Sequence, residues 1–338
     1  MKQTLILTGD IHLGHVADPT EPFALVADVL GEADVVFGNL EGCLYDPSVT
    51  VDYKPGWTHV GPEPAPALRY GGFHAVGCAN NVNFGADAIM ATVELLDEMG
   101  IAHTGAGADR AQARTPAIVE RDGVRFGFLQ YTSVFWPIGH EASAGSPGVA
   151  AILAHTAYRP NPRIAEMPGG PPIIVTWPDA DYLEAFKRDV RALRGRVDFL
   201  VASFHWGISG SVETADYQVA IAHAAIDSGA DLVMGHGPHE IQAAEIYGGR
   251  PIFYSLGNFF FGEDPLYDFV GLVASVELED GKAVIVRCAP VRPNSRSQTR
   301  IRSFGEEPDA RKSLEALSQR FDTTLEFAEG GAALWPDG

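Results

Sequence analysis

The sequence predicts an α/β layered fold. Short apolar runs each stop at polar turn residues, amphipathic stretches between them end at glycines, and the second half repeats the strand theme before an antiparallel pair.

Taken in order, Leu5–Thr8 runs into Gly9-Asp10, Val35–Phe37 into Gly38-Asn39, and Ala75–Cys78 into Asn80-Asn81. Helical spacing marks Phe23–Gly31, and also Ala86–Met99, which stops at Gly100. Asp179–Leu193 and Asp216–Ser228 read as further helices, the latter stopping at Gly229. Phe199–Phe204 is a strand ending in His205, Leu232–Met234 one ending in Gly235-His236, and Ile252–Ser255 one ending near Gly257-Asn258. Gly271–Leu278 and Ala283–Cys288 read as an antiparallel pair turned by Asp280-Gly281. Between Trp136 and Trp177 the chain is rich in proline and glycine, so residues 136–178 are expected to form an irregular insertion. It either covers the site or makes a passive surface excursion; Trp136 and Trp177 are read as packing residues at its flanks. A last helix, Asp309–Phe321 within 307–322, is expected to pack on the outside of a single domain spanning 1–338.

With 338 residues, 46% hydrophobic and 20% charged, the chain can bury a core without disulfides or a structural metal. A net charge of −20 repels phosphate backbones and anionic headgroups, so neither nucleic acid nor a membrane surface is an expected partner. An anionic substrate stays open, because a bound cation reverses the local field. Cys43, Cys78 and Cys288 fit no zinc framework and read as buried, reduced thiols of a cytoplasmic protein. The run Leu5–Leu7 is too short for a signal or a membrane span and opens the first strand.

The polar residues collect where strands end: Asp10 and His12, Asn39 and Glu41, Asn80 and Asn81, His205, then His236 and His239. In open α/β folds these carboxyl ends line the ligand crevice. Each piece alone is weak. Asp-x-His is common, a lone histidine is more often structural, and Asn39 and Asn81 suit turns. Gly105-Ala106-Gly107 lacks a dinucleotide fingerprint. Together, metal-type ligands from several segments meet at one edge.

The motifs Gly9-Asp10-Ile11-His12, Gly38-Asn39-Leu40-Glu41-Gly42, Ala79-Asn80-Asn81, Thr104-Gly105-Ala106-Gly107, His205-Trp206-Gly207, Gly235-His236-Gly237-Pro238-His239 and Tyr254-Ser255-Leu256-Gly257-Asn258-Phe259 occur in that order. Together they resemble the CapA-type poly-γ-glutamate synthesis proteins, a branch of the calcineurin-like metallophosphatases, over about Leu5 to Phe261 outside the insertion. The resemblance implies a calcineurin-like four-layer α-β-β-α sandwich. It also implies a phosphoesterase with an Asp bridging two metals where this chain has Asn39, and an Asn-His pair where Asn81 is followed by Val82. A neutral amide bridges two dications poorly, and valine moves no proton.

What remains still reads as a metal site drawn from Asp10, His12, Asn39, Glu41, Asn81, His205, His236 and His239. Two carboxylates balance one divalent ion better than two, and the mixed oxygen and nitrogen set suits zinc, manganese or iron, with calcium also admissible. The candidate acid–base residues are His12, His205, His239, Asp10 and Glu240. Glu41, Asp87 and Asp268 are further possible carboxylate partners, although Asp87 reads better as a first-turn helix carboxylate. Tyr53, Lys54 and Trp57 in the loop Val51–Gly61 are candidate substrate contacts, or anchors of an exposed loop. The expected function is a metal-dependent enzyme acting on a peptide or poly-amino-acid substrate, by amide hydrolysis or by epimerisation at Cα. The alternatives are a metallophosphoesterase and an accessory protein of poly-γ-glutamate capsule synthesis. Members in the accessory role are expected to carry an N-terminal anchor, whereas this chain starts at its first strand.

Overall fold

Alternate residues of the first strand, Lys2–Ile11, already divide the interior in two. Leu5 and Leu7 enter one buried cluster while Ile6 enters another, as the two-residue repeat of a strand requires. Val35–Leu40 behaves alike, with Val35 and Phe37 on one side and Val36 on the other. A strand buried on both faces reads as a continuous apolar run, which is why these segments stand out in the sequence.

The computed structural model describes residues 2–49, 58–262, 270–328 and 331–334. One sheet runs Glu326–Ala328, Gly331–Leu334, Lys282–Pro293, Gly271–Glu279, Lys2–Ile11, Val35–Leu40, Ala75–Gly77 and Ala102–Thr104. Its last four strands are parallel, and Asn258–Phe260 also pairs in parallel with the end of the first strand. The other sheet runs Ala244–Tyr247, Arg250–Phe253, Leu232–His236, Phe199–His205, Val124–Thr132 and Ala117–Arg121, parallel except at its two edges.

Leu5, Leu7 and Phe37 face Phe126, Phe128, Val201 and Met234 between the sheets, and the rings of Phe37 and Phe128 stack at 4.4 Å. The helix Ala86–Glu98 covers the outer face of the first sheet through Ile89, Val93 and Leu96. Ala180–Arg194 and Asp216–Ser228 cover the second through Phe186, Val190, Ile221 and Ala225. The result is the expected four-layer α-β-β-α sandwich.

Several details differ from the sequence reading. The first helix begins at Ala27; Phe23–Val26 instead forms turns that bury the Phe23 ring against Phe73 and Phe259. The segment 136–178 is less irregular than its composition predicts. It holds the hairpin Ala154–Arg159 and Ile173–Pro178, and Pro160, Pro162, Pro168, Pro171 and Pro172 all fall in its connection, where no ladder donor is needed. Trp177 is 44% exposed beside His155 and so packs only partly. The last helix, Pro308–Gln319, buries Leu314 in the cluster between the sheets, so it plugs the end of the sandwich as well as covering it. The hairpin Ala117–Arg121 with Val124–Thr132 went unread, although its Asp122-Gly123 turn, both residues at positive φ, is a sequence signal. All three cysteines are buried free thiols; burial pushes Cys43 and Cys288 up to about 12 and Cys78 higher still, which makes them inert.

Candidate metal centre

The carboxyl ends of the central strands of both sheets meet at one edge of the sandwich. The first sheet brings Asp10 and Asn39, which pair across adjacent strands, with Glu41 just beyond. The second brings His205 and His236, which pair likewise, and the turn after Leu232–His236 brings His239. Asp10, Asn39, Glu41, His205, His236 and His239 are all buried. One ligand-type atom each of Asp10, Glu41 and His239 lies within 4.8 Å of the others. His236 Nδ1 is 3.4 Å from Asp10 Oδ1, and His205 Nε2 is 3.6 Å from Glu41 Oε1. His239 stands 3.6 Å from Asp10 and 4.0 Å from Glu41.

Each imidazole is held from behind. His236 Nε2 meets Ser203 Oγ at 3.1 Å, and His205 Nδ1 meets Thr132 Oγ1 at 3.5 Å. His239 Nδ1 meets Asn258 Oδ1 at 2.9 Å, from a left-handed backbone at φ 60°. Such partners set the tautomer and aim the other nitrogen forward. Gly237, at φ 100°, closes the turn and donates its N–H to Asp10 Oδ2 at 3.2 Å; a Cβ there would lie 3.0 Å from His205 Nε2.

Three buried polar atoms of these residues have no hydrogen-bond partner among the described residues: Glu41 Oε2, and the His205 Nε2 and His236 Nδ1 that lie 3.6 Å and 3.4 Å from carboxylate oxygens. Buried polar groups are nearly always satisfied, and an exception calls for an explanation. One carboxylate oxygen and two imidazole nitrogens are the donor types a divalent cation takes, so the residues present fit one.

Burial works to raise the Asp10 carboxyl, but the imidazoles of His236, His239 and His205 outweigh it and hold it at about 2. Burial disfavours the charged form of His239, yet Glu41 and Asp10 together push it above its ordinary value. Burial raises the half-buried Glu240 carboxyl, with His239 pulling the other way.

The remaining candidates take other places. Asn39 has both amide atoms engaged within the protein: Nδ2 donates to Asp10 Oδ1 at 2.7 Å, while Oδ1 accepts from Gln130 at 2.8 Å and Asn80 at 3.2 Å. His12 is half-buried at the rim, stacked on Phe261 at 5.1 Å, and its Nδ1 accepts the Gly14 N–H at 3.2 Å, which places its ring proton on Nε2. Asn81 is half-buried, and its carbonyl accepts from the Trp136 indole at 3.2 Å. Asp87 is an exposed first-turn helix carboxylate. Tyr53, Lys54, Trp57 and Asp268 lie outside the described residues.

Several supporting residues escaped the sequence reading. His140 is fully buried in the insertion; its Nε2 bonds the Asn83 carbonyl at 2.7 Å and its Nδ1 accepts the Trp136 N–H at 3.0 Å. Asn83 in turn accepts the Gly42 N–H at 2.8 Å and donates to the Leu40 and Cys78 carbonyls. The start of the insertion is thereby strapped to the Asn81–Asn83 turn at the rim. Its hairpin runs to the helix Asp216–Ser228, where the Tyr217 N–H donates to Thr176. A lone histidine among prolines and glycines gives no local signal; Asn258, inside a motif read from the sequence, did.

The family described as "Bacterial capsule synthesis protein PGA_cap" matches residues 4–263. An uncharacterized protein of Sinorhizobium fredii is 33% identical, over 77% of this chain and 66% of its own length, so the chain spans just under two thirds of that relative. The "Probable polyglutamine synthesis accessory protein" of Mycobacterium tuberculosis is 28% identical, over 85% of this chain and 73% of its own. The "Capsule biosynthesis protein CapA" of Bacillus anthracis is 26% identical, over 86% and 67%. Among solved structures, TT1561 of Thermus thermophilus aligns with 81% of this chain and 94% of its own at 11% identity, with a TM-score of 0.43.

Proposed function

The chain belongs to the bacterial capsule synthesis family PGA_cap, and from that premise we propose that it is a metal-dependent enzyme acting on a peptide or poly-amino-acid chain, at a carbonyl or at the Cα beside it. The observation that supports this reading is the gathering of buried Asp10, Glu41 and His239, with His205 Nε2 and His236 Nδ1 beside their carboxylates and without a hydrogen bond among the described residues. These five residues would hold one cation. Zinc, manganese or iron matches the mixed donors, and calcium matches the carboxylates. Bound there, the cation supplies Lewis-acid polarisation of a carbonyl oxygen.

The chain's own groups do the rest. Asp10 and Glu41 provide the negative charge that keeps the cation in a buried place. His12, with its proton on Nε2, and Glu240, whose carboxyl burial raises, stand at the rim as the groups that move protons. For amide hydrolysis, one of them takes a proton from the attacking water and the leaving amine receives one. For epimerisation, one removes the Cα proton and another returns a proton on the opposite face, with no net change in composition.

Phosphoester hydrolysis fits less well, because the Asn39 amide is tied up within the protein and Val82 transfers no proton. An accessory role in poly-γ-glutamate synthesis is the other reading; the Mycobacterium tuberculosis relative is named a probable polyglutamine synthesis accessory protein. Incubating the metal-loaded chain with peptides and poly-γ-glutamate in D₂O separates these readings. New amine ends identify hydrolysis, and deuterium at Cα identifies epimerisation. Neither product with any metal, together with capture of synthase subunits, would replace the enzyme reading by the accessory one.

A further inference from the structure

Gln130 is wholly buried on the strand Val124–Thr132 of the second sheet, but its side chain crosses to the first. Oε1 accepts the Ala79 N–H at 2.6 Å and Nε2 donates to Asn39 Oδ1 at 2.8 Å. The passage is kept clear for it. A Cβ on Gly77 would lie 2.3–2.5 Å from the Gln130 amide atoms, and one on Gly105 would lie 3.1 Å from its oxygen. A glycine inside a strand often marks such a close approach. Asn80 donates to the same Asn39 oxygen at 3.2 Å. Two donors on one oxygen leave the Asn39 amide a single orientation, with its nitrogen towards Asp10 Oδ1 at 2.7 Å. Gly237 donates to the other Asp10 oxygen, so the carboxylate is gripped at both ends.

We infer that Gln130 is a positioning residue for the candidate centre: reaching from the second sheet, it fixes the Asn39 amide as a hydrogen-bond donor to Asp10 and so holds that carboxylate in the orientation that takes a single cation. The inference rests on the cation reading above and deepens it. With Asn39 held as a donor, the edge of Asp10 that faces it is occupied by an N–H and is closed to a second ion. Groups that orient metal ligands in this way typically carry about 10–100-fold in metal affinity.

The test is calorimetric titration of Mn²⁺ and Zn²⁺ into the full metal-free chain, for wild type, Gln130→Met, Asn39→Ala and the double variant, each with its metal-free thermal midpoint. Gln130→Met is expected to weaken cation binding about tenfold or more, Asn39→Ala similarly, and the double variant no further than Asn39→Ala alone. A residue that only fills space would lower the midpoint in both backgrounds and leave the dissociation constant within about twofold; that result, or additive losses of affinity, overturns the inference. If the methionine variant does not fold, Gln130→Ala, which leaves room for a water on the Ala79 N–H, is put through the same comparison. A wild type that binds neither cation would instead overturn the cation reading, and this inference with it.

Discussion

Asp10 and Glu41 are two buried carboxylates held near three imidazoles, and Glu41 keeps one oxygen with no hydrogen-bond partner among the described residues. Without a cation, that oxygen carries a desolvation cost that His205 and His239, which face the other carboxylate oxygen, offset only in part. Glu41→Gln is therefore expected to raise the metal-free thermal midpoint by about 2–4 °C, and to abolish the further rise on adding Mn²⁺. A lower metal-free midpoint with the cation response intact would contradict this. Asp10 carries a pH signature. Its folded-state value of about 2 lies below the ordinary 3.8, so its contribution to stability is present above 3.8 and is lost as pH falls towards 2. Urea unfolding of metal-free protein should therefore show a steeper loss of stability between pH 4 and pH 2 in wild type than in Asp10→Asn; parallel slopes would count against the assignment. The ligand-type residues were legible because they follow apolar runs directly. Ser203 and Gln130 were not, because a hydrogen bond between sheets leaves no local pattern.

At the scale of elements, the sheets are held together by rings that face each other across the interior. Phe37 and Phe128 stack at 4.4 Å and 2°, both fully buried. Phe128→Ala should cost about 3–5 kcal/mol by urea unfolding, and a loss below about 1 kcal/mol would show that the interior re-collapses. The strand carrying Phe128 was missed in the sequence because it ends in Tyr131-Thr132, without the acidic or histidine signal of its neighbours. The strap at the start of the insertion depends on His140 and Trp136. His140→Ala leaves the Trp136 N–H and the Asn83 carbonyl without their partner, so hydrogen exchange should quicken over both 134–142 and 80–84. Faster exchange in the first segment alone would mean that the strap does not hold the rim turn. Its prolines set the segment 136–178 apart in the sequence; its hairpin was not legible, since those prolines mark only the connection.

Across the whole molecule, parallel strands from two sheets end at one edge, so residues as distant as Asp10 and His239 meet there. The order of polar residues along the chain pointed to the strand ends that the fold brings to this edge. The pairing of the sheets, and hence which carboxylate meets which imidazole, is a long-range property that appears only when the layers pack. Among the described residues no helix is long and apolar enough to cross a membrane. In a chain of net charge −20, a buried cation at this edge would also offset local repulsion, linking metal content to stability. The most direct measurement is the metal content of gently purified wild-type protein beside His236→Ala and Asp10→Ala. The account predicts about one divalent ion per chain in wild type and its loss from both variants. No ion under any loading condition, or an ion retained when either residue is removed, would contradict it.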